Sequence, residues 1–360
     1  MRILSVHNRY QIRGGEEECY EAEVSLLRER GHEVNTYEES NDRIAILGSF
    51  RAGIETVWSP KNYQAVKSLL AEQAYDIVHV HNFFPLISPA IYYAAKDRGV
   101  PVVQTLHNYR LLCPNAKFFR DSRICEDCLG QSIPWSGILH GCYRESRTAT
   151  GAVVAMLAIH RAMQSWTKMV DRYIVLTEFA REKFIQGGIP AEKLIVKPNF
   201  VPDPGIGQGN GGYALYAGRL SPEKGIGLLL SAWKQLGNKI SLKIVGDGPL
   251  ATQVAEAAKT TPGVEWLGRK PLEEVYALLK EASFLVFPSQ WYEGLPRILI
   301  ESFAVGTPVI AANLGSMSSL VKPYCTGLHF QAGNSEDLVA KVQWVLANPE
   351  KLAQMRQEVR

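Results

Sequence analysis

Tyr213-Ala214-Leu215-Tyr216-Ala217-Gly218-Arg219-Leu220-Ser221-Pro222-Glu223-Lys224-Gly225 reads as a short apolar strand that runs into a turn carrying a guanidinium and an ammonium, with a helix beginning near Gly225. Cations at the carboxyl edge of a strand, beside a helix N-terminus whose first N–H groups lack partners, attract phosphate. Two solvated cations on a turn fit the same residues. Outward from this stretch, candidate strands recur at residues 242–245, 264–267, 284–287 and 308–311, separated by helix-length segments from Gly225, Pro249, Pro271, Leu295 and Asn334. This alternation predicts an α/β domain with a parallel sheet layered by helices.

The first half repeats the pattern. Residues 3–6 form a candidate strand leading to a Gly14-Gly15 loop, then a helix to Gly31 with Tyr20, Val24 and Leu27 on one face. Apolar strands follow at 76–80 and 102–106, with a helix from about Pro89 between them, and a strand at 173–176 precedes Thr177 as a helix N-cap. Between the halves, residues 201–212 are dense in Pro and Gly and read as a linker. The expected organisation is therefore a Rossmann-like domain over 1–200, with a cysteine-bearing insertion at about 110–148, the linker, and a second Rossmann-like domain over 213–360. A cleft is expected between the carboxyl ends of the two sets of strands. Gly207-x-Gly209-x-x-Gly212 matches the dinucleotide fingerprint only on paper, because it precedes a strand where that mechanism needs a strand before it and a helix after.

Composition narrows the partners. The 360 residues are 46% hydrophobic and 21% charged, with a formal net charge of +3, so neither disorder nor a polyelectrolyte partner such as nucleic acid is implied. No run approaches the ~18 apolar residues of a membrane span, which predicts a soluble, cytoplasmic chain. Residues 152–159, just before His160-Arg161, are apolar; they read either as a buried helix face or as part of a basic amphipathic helix touching the inner face of a membrane peripherally.

The chemistry concentrates in Pro288-Ser289-Gln290-Trp291-Tyr292-Glu293-Gly294-Leu295-Pro296-Arg297-Ile298-Leu299-Ile300-Glu301. Glu293 falls in the loop, and Glu301 about five residues into a helix starting near Pro296, roughly 7.5 Å along its axis at ~1.5 Å per residue. That separation suits the two hydroxyl-rich ends of a nucleotide sugar. Gly294 and Leu295 offer N–H groups at the helix start. Glu301 lies in an apolar stretch where an ionised carboxylate needs a partner, either a ribose diol or an internal salt bridge.

Together with the 218–225 segment, the Gly246-Asp247-Gly248-Pro249 turn, the Glu265-Trp266-Leu267-Gly268 strand end and Gly306-Thr307-Pro308-Val309-Ile310, this region resembles the family-4 retaining glycosyltransferases over nearly the whole chain. The resemblance implies the GT-B fold, with a nucleotide-diphospho-sugar (a UDP- or GDP-sugar) held by the second domain and an acceptor by the first. It implies Arg219 and Lys224 on the diphosphate, Glu293 on the donor sugar hydroxyls, Glu301 on the ribose, and Leu267 and Gly268 near the base. Gly246, Gly294, Leu295 and Pro296 join the donor set, Gly14 and Gly15 match the family's glycine loop near the phosphates, and His107 matches its active-site histidine. Asn199 is followed by Phe200 where the family commonly has Asn-Gly. On its own, a strand-end histidine such as His107 equally suits a hydrogen bond to neighbouring backbone. His79 and His81 share one face of a strand and read as core or rim residues, with no third metal ligand evident.

No Asp-x-Asp pair occurs, so catalysis without a metal cofactor is expected, with Arg219, Lys224 and helix-end N–H groups stabilising the leaving group. Cys113, Cys125, Cys128 and Cys142 cluster in the insertion; they suit a structural zinc or iron–sulfur site, or buried reduced thiols. Arg110, Lys117, Arg120, Arg123, Arg144 and Arg147, with Phe118, Phe119, Trp135 and Tyr143 among them, form either a grip for an anionic or lipid-linked acceptor or solvated charges over a small accessory core. The function implied is transfer of a hexose to a glycan or lipid-linked acceptor in surface polysaccharide synthesis. A nucleotide-sugar epimerase or phosphorylase of the same fold, and a non-catalytic nucleotide-sugar binding protein, are the competing classes.

Overall fold

In the computed structural model, which describes residues 1–360, the first sheet is laid down by β1 (Arg2–Arg9), β2 (Glu33–Ser40), β3 (Ile77–Asn82) and β4 (Val102–Leu106). A small antiparallel hairpin of β5 (Phe119–Arg120) and β6 (Arg123–Ile124) interrupts the series before β7 (Arg172–Val175) and β8 (Leu194–Val196) complete it. The second sheet comprises β9 (Tyr213–Ala217), β10 (Ser241–Val245), β11 (Val264–Trp266), β12 (Phe284–Phe287), β13 (Val309–Ala312) and β14 (Gly327–Phe330). The chain divides into two compact units, residues 1–118 with 125–199, and residues 119–124 with 200–360.

Both six-stranded sheets are parallel, in the orders β2-β1-β3-β4-β7-β8 and β11-β10-β9-β12-β13-β14. The strand order reverses between β1 and β3 in one and between β9 and β12 in the other. At such a switch point adjacent loops leave in opposite directions and open a crevice at the carboxyl ends of the strands. The segments after β1, β9 and β12 carry Gly14, Gly15, Arg219, Lys224, Glu293, Gly294, Leu295 and Pro296.

The second sheet is buried on both faces, as a parallel sheet covered by helices must be. One face packs Leu242, Ile244, Val286 and Ile310 against Trp233 and Leu229 of the Ile226–Leu236 helix, and the other packs Leu215, Leu285 and Val309 against Leu279, Leu299 and Val305. Trp233 is fully buried, and its indole N–H donates to the Ile240 carbonyl at 3.0 Å, so the ring adds apolar area without stranding its one polar atom. Thr177 caps the Glu178–Gln186 helix as expected, its side chain accepting the Ala180 N–H at 3.2 Å.

Besides the short β5–β6 hairpin, three strands of the two large sheets are invisible to the periodicity reading. β2 is polar on its exposed side and pairs only with β1, β8 has three residues, and β14 has four. Residues 201–212 also differ from a loose linker. Gly207, Gly209 and Gly211 donate to the carbonyls of Val305, Lys280 and Glu281 at 2.8–2.9 Å, lacing the segment along the second unit. Glycine permits that approach, since a Cβ on Gly207 would lie 2.3 Å from Lys280 Cα. Residues 152–159 lie in the Arg147–Ala162 helix, where Val153, Val154, Met156 and Leu157 are buried and Ile159 is 43% exposed. One face thus belongs to the core, and no helix of the chain is long and apolar enough to cross a membrane.

Candidate active site

In the second unit the turn after β9 brings Lys224 to the loop after β12. Lys224 Nζ donates to Glu293 Oε1 at 2.6 Å, and the same oxygen accepts the Ser289 hydroxyl at 2.7 Å and the Trp291 indole N–H at 2.6 Å. The Glu293 side chain is only 7% exposed, and an ionised carboxylate at that depth needs such charge-assisted bonds. Gln290 N–H donates to the Glu223 carbonyl at 2.8 Å, fastening the two loops together, and the Ser316 hydroxyl from beyond β13 donates to the Glu293 carbonyl at 2.9 Å. Lys224 also lies 5.2 Å from the centre of the Trp291 ring. Arg219 is exposed on the turn that leads to Lys224.

Two glycines show how tightly the turns interlock. Gly246 has φ +136°, and a Cβ there would lie 1.9 Å from the Gly218 carbonyl oxygen; Gly225 has φ +75°, and its Cβ would lie 2.0 Å from that of Pro288. Gly246 N–H in turn donates to the Gly268 carbonyl at 2.8 Å, and Leu267 N–H to Ile244 at 2.9 Å, so the ends of β9, β10 and β11 form one continuous rim.

Pro296 is the N-cap of the Arg297–Ala304 helix, and Gly294 and Leu295 immediately precede it. Glu301, 5% exposed at its side chain, accepts Arg297 Nε at 2.7 Å one turn earlier. Burial of this carboxylate is therefore met by a salt bridge inside the helix. Ser289, Trp291 and Arg297 were missed as site residues, although all three lie in the quoted stretch and flank Glu293 and Glu301.

In the first unit His107 lies at the end of β4, its Nε2 3.3 Å from His81 Nδ1, and both border a concavity of about 340 Å³ with Tyr10, Phe84, Asn108 and Arg110. His7 stacks on Tyr20 at 4.5 Å, and His79 and His81 rings are 4.2 Å apart. Burial withdraws solvation from these rings and holds His7 and His79 at about 4, His107 at about 3, and His81 well below the usual range, so all four are neutral at pH 7.

Gly14, the N-cap of the Gly15–Glu29 helix, donates its N–H to Glu17 Oε2 at 2.7 Å and has ordinary extended geometry. A Cβ there would meet nothing within 4 Å, so no internal contact requires glycine at this position. Glu16, unread in the sequence, accepts from Tyr10 OH and Asn108 Nδ2 at 3.2 Å each, while its Oε1 is buried without a partner. Burial raises its carboxyl to about 7. Asn199 closes the first unit.

Cys113 and Cys128 are buried, and none of the six cysteines forms a disulfide. The Cys128 thiol is pushed up to about 12, first by burial and then by Cys113, with Cys142 and Cys125 adding to the same effect.

The model of glycosyltransferase family 4 matches residues 13–203, and that of the glycosyl transferases group 1 matches residues 207–360. The chain belongs to glycosyltransferase family 4. Over 238 residues it is 27% identical to the lipopolysaccharide 1,2-N-acetylglucosaminetransferase of Salmonella typhimurium, covering 58% of this chain and 62% of that one. Over 183 residues it is 31% identical to the putative teichuronic acid biosynthesis glycosyltransferase TuaC of Bacillus subtilis, covering 50% and 44%. The chain thus spans about half the length of such curated relatives. The fold is that of solved GT-B glycosyltransferases. HepE of Anabaena, crystallised with UDP and glucose, matches with a TM-score of 0.69 at 18% identity over 100% of this chain and 93% of its own. Sucrose-phosphate synthase of Thermosynechococcus elongatus also gives 0.69, at 15% identity over 99% and 94%.

Proposed function

We propose that this glycosyltransferase moves a hexose, with retention of anomeric configuration and without a catalytic metal, from a UDP- or GDP-sugar to a glycan or lipid-linked acceptor of surface polysaccharide synthesis. The observation that carries the reading is the Lys224–Glu293 pair at the switch point of the second sheet, held by Ser289 and Trp291. A base–phosphate–sugar ligand is served there by fixed positive charge from Lys224 and Arg219, by the N–H groups of Gly294 and Leu295 before the Arg297–Ala304 helix, and by the Glu293 carboxylate for sugar hydroxyls. The UDP and glucose held by HepE favour uridine among the two bases. The two polysaccharide-related relatives favour a glycan acceptor.

Departure of the diphosphate leaves positive charge on the sugar, and attack by an acceptor hydroxyl from the same face hands its proton to a departing phosphate oxygen. Lys224 and Arg219 offset the charge that builds on the diphosphate. His107, neutral at pH 7, serves the acceptor hydroxyl or sugar as a hydrogen-bond partner rather than as a cation. For the insertion, the four cysteines, of which Cys113, Cys125 and Cys142 all act on the Cys128 thiol, are proposed as the ligands of a structural zinc or iron–sulfur group. One thiolate-bound metal centre per chain, lost with Cys128→Ser, supports that assignment; fully folded protein without thiolate-bound metal overturns it.

A thermal-shift panel of UDP- and GDP-sugars tests the donor. A ligand at ~100 times its dissociation constant adds about 2.7 kcal/mol, and the shift should vanish in Lys224→Ala. Product analysis with a glycan acceptor then tests transfer, and nucleotide release without any acceptor, or binding without turnover, would overturn it.

A further inference from the structure

The two histidines on one face of β3 have a third partner that the sequence did not expose. The Gly15–Glu29 helix carries Glu23 toward β3, so that one ring nitrogen of His79, one of His81 and one carboxylate oxygen of Glu23 all lie within 4.8 Å of one another. His79 and His81 are 5% and 3% exposed. We propose that Glu23, His79 and His81 form a binding site for a divalent transition-metal ion of the zinc class in the first unit. This site is independent of the sugar-transfer reading, whose leaving-group chemistry is drawn from second-unit residues.

Four features support the assignment. A His-x-His pair on one strand face presents two imidazoles at the strand period of two, and two imidazoles with one carboxylate are a donor set suited to zinc and its neighbours. The outer contacts also fit. His79 Nε2 is bonded to Thr105 Oγ1 at 2.9 Å, which orients the ring and leaves Nδ1, 3.9 Å from Glu23 Oε1, to face the site. His81 uses Nδ1 toward His107, and its Nε2 is buried with no hydrogen-bond partner. An orphaned nitrogen at such depth is costly unless something fills its lone pair or takes its proton, and a metal ion fills it.

Lys197 is the competitor. Its Nζ lies 3.0 Å from Glu23 Oε1, occupying the carboxylate that the ion would share. Loading requires that ammonium to withdraw into solvent, which its 44% exposed side chain allows. With its Nε2 on the metal, His81 must carry its proton on Nδ1 and donate to His107 Nε2. The ion would therefore set the hydrogen-bonding pattern of the pocket histidine.

Cobalt(II), titrated into chelator-treated full-length protein, separates this site from the cysteines, because nitrogen and oxygen donors give visible bands without thiolate-to-metal charge transfer. One such thiolate-free ion per chain is expected, weakened at least tenfold by Glu23→Gln and by His81→Gln, and tightened by Lys197→Gln. Cobalt should also raise the melting temperature of wild type by more than that of Glu23→Gln, in which only the cysteines remain to take it. Should His81→Gln misfold, Glu23→Gln decides alone, since its carboxamide keeps the shape. Absence of a thiolate-free band, or a band of undiminished affinity in Glu23→Gln, overturns the proposal.

Discussion

The carboxyl edges of the two sheets solve the burial of polar groups in opposite ways. In the second unit, charge meets charge: Lys224 and Glu293, and Arg297 and Glu301, sit at 2.6 and 2.7 Å with their carboxylates nearly out of solvent. In the first, His7, His79, His81 and His107 are kept neutral by desolvation and packed against one another and Tyr20. A paired edge holds a fixed field ready for a diphosphate, whereas a neutral edge can turn its donors and acceptors to suit hydroxyl groups. The glycines differ in the same sense. Gly246 is demanded by its neighbours and Gly14 by none of them.

The strongest way to break this comparison is to remove the fixed charge. Lys224→Ala should lower kcat/KM for sugar transfer by about 10²–10³-fold, the scale of losing one preorganised electrostatic contact. Circular dichroism should stay native. A loss below about tenfold would mean that Lys224 serves only the loop. Gly246→Ala should next cost several kcal/mol of stability, read as a lowered urea midpoint, because its Cβ would collide with the Gly218 carbonyl and the backbone there is left-handed.

Glu16→Gln probes the neutral edge through pH. The folded carboxyl titrates near 7 against an ordinary value of 4.5, so the native state holds the proton more tightly than the unfolded chain. Ionisation therefore costs stability that is fully felt above about pH 7 and absent below about pH 4.5, where both states are protonated. The variant should melt several degrees higher than wild type at pH 8, and the gain should disappear at pH 4. An equal gain at both values would assign the effect to packing.

Gly14→Ala should be the smallest for stability, about 0.5–1 kcal/mol, since the position is extended and open and only the N-cap preference for glycine over alanine is lost. Its effect belongs in the donor or acceptor KM. Unchanged KM for both would place the glycine loop outside the binding surface.

Much of the second unit was legible as text. Residues 213–217 and 284–287 are strands at the bounds read for them, because four or five consecutive apolar residues ending at a turn or a proline have few alternatives. The Pro296 helix start and the need of Glu301 for a partner were also readable. That Arg297 is the partner was not, although i and i+4 place them on one face. β2 was lost because its exposed residues, Glu33, Thr36 and Glu38, dilute the apolar signal of a strand paired on one side only.

Local order was therefore the part that sequence determined: apolar runs, glycine turns, caps, and the side chains carried on the two edge loops of the second sheet. Tertiary structure alone decided which of those side chains meet. Lys224 and Glu293 are 69 residues apart, and Glu23 and His79 stand on a helix and a strand separated by another strand and several helices. Pairings of that kind depend on strand order, and strand order follows from how whole faces bury one another, which a run of residues read in isolation does not encode.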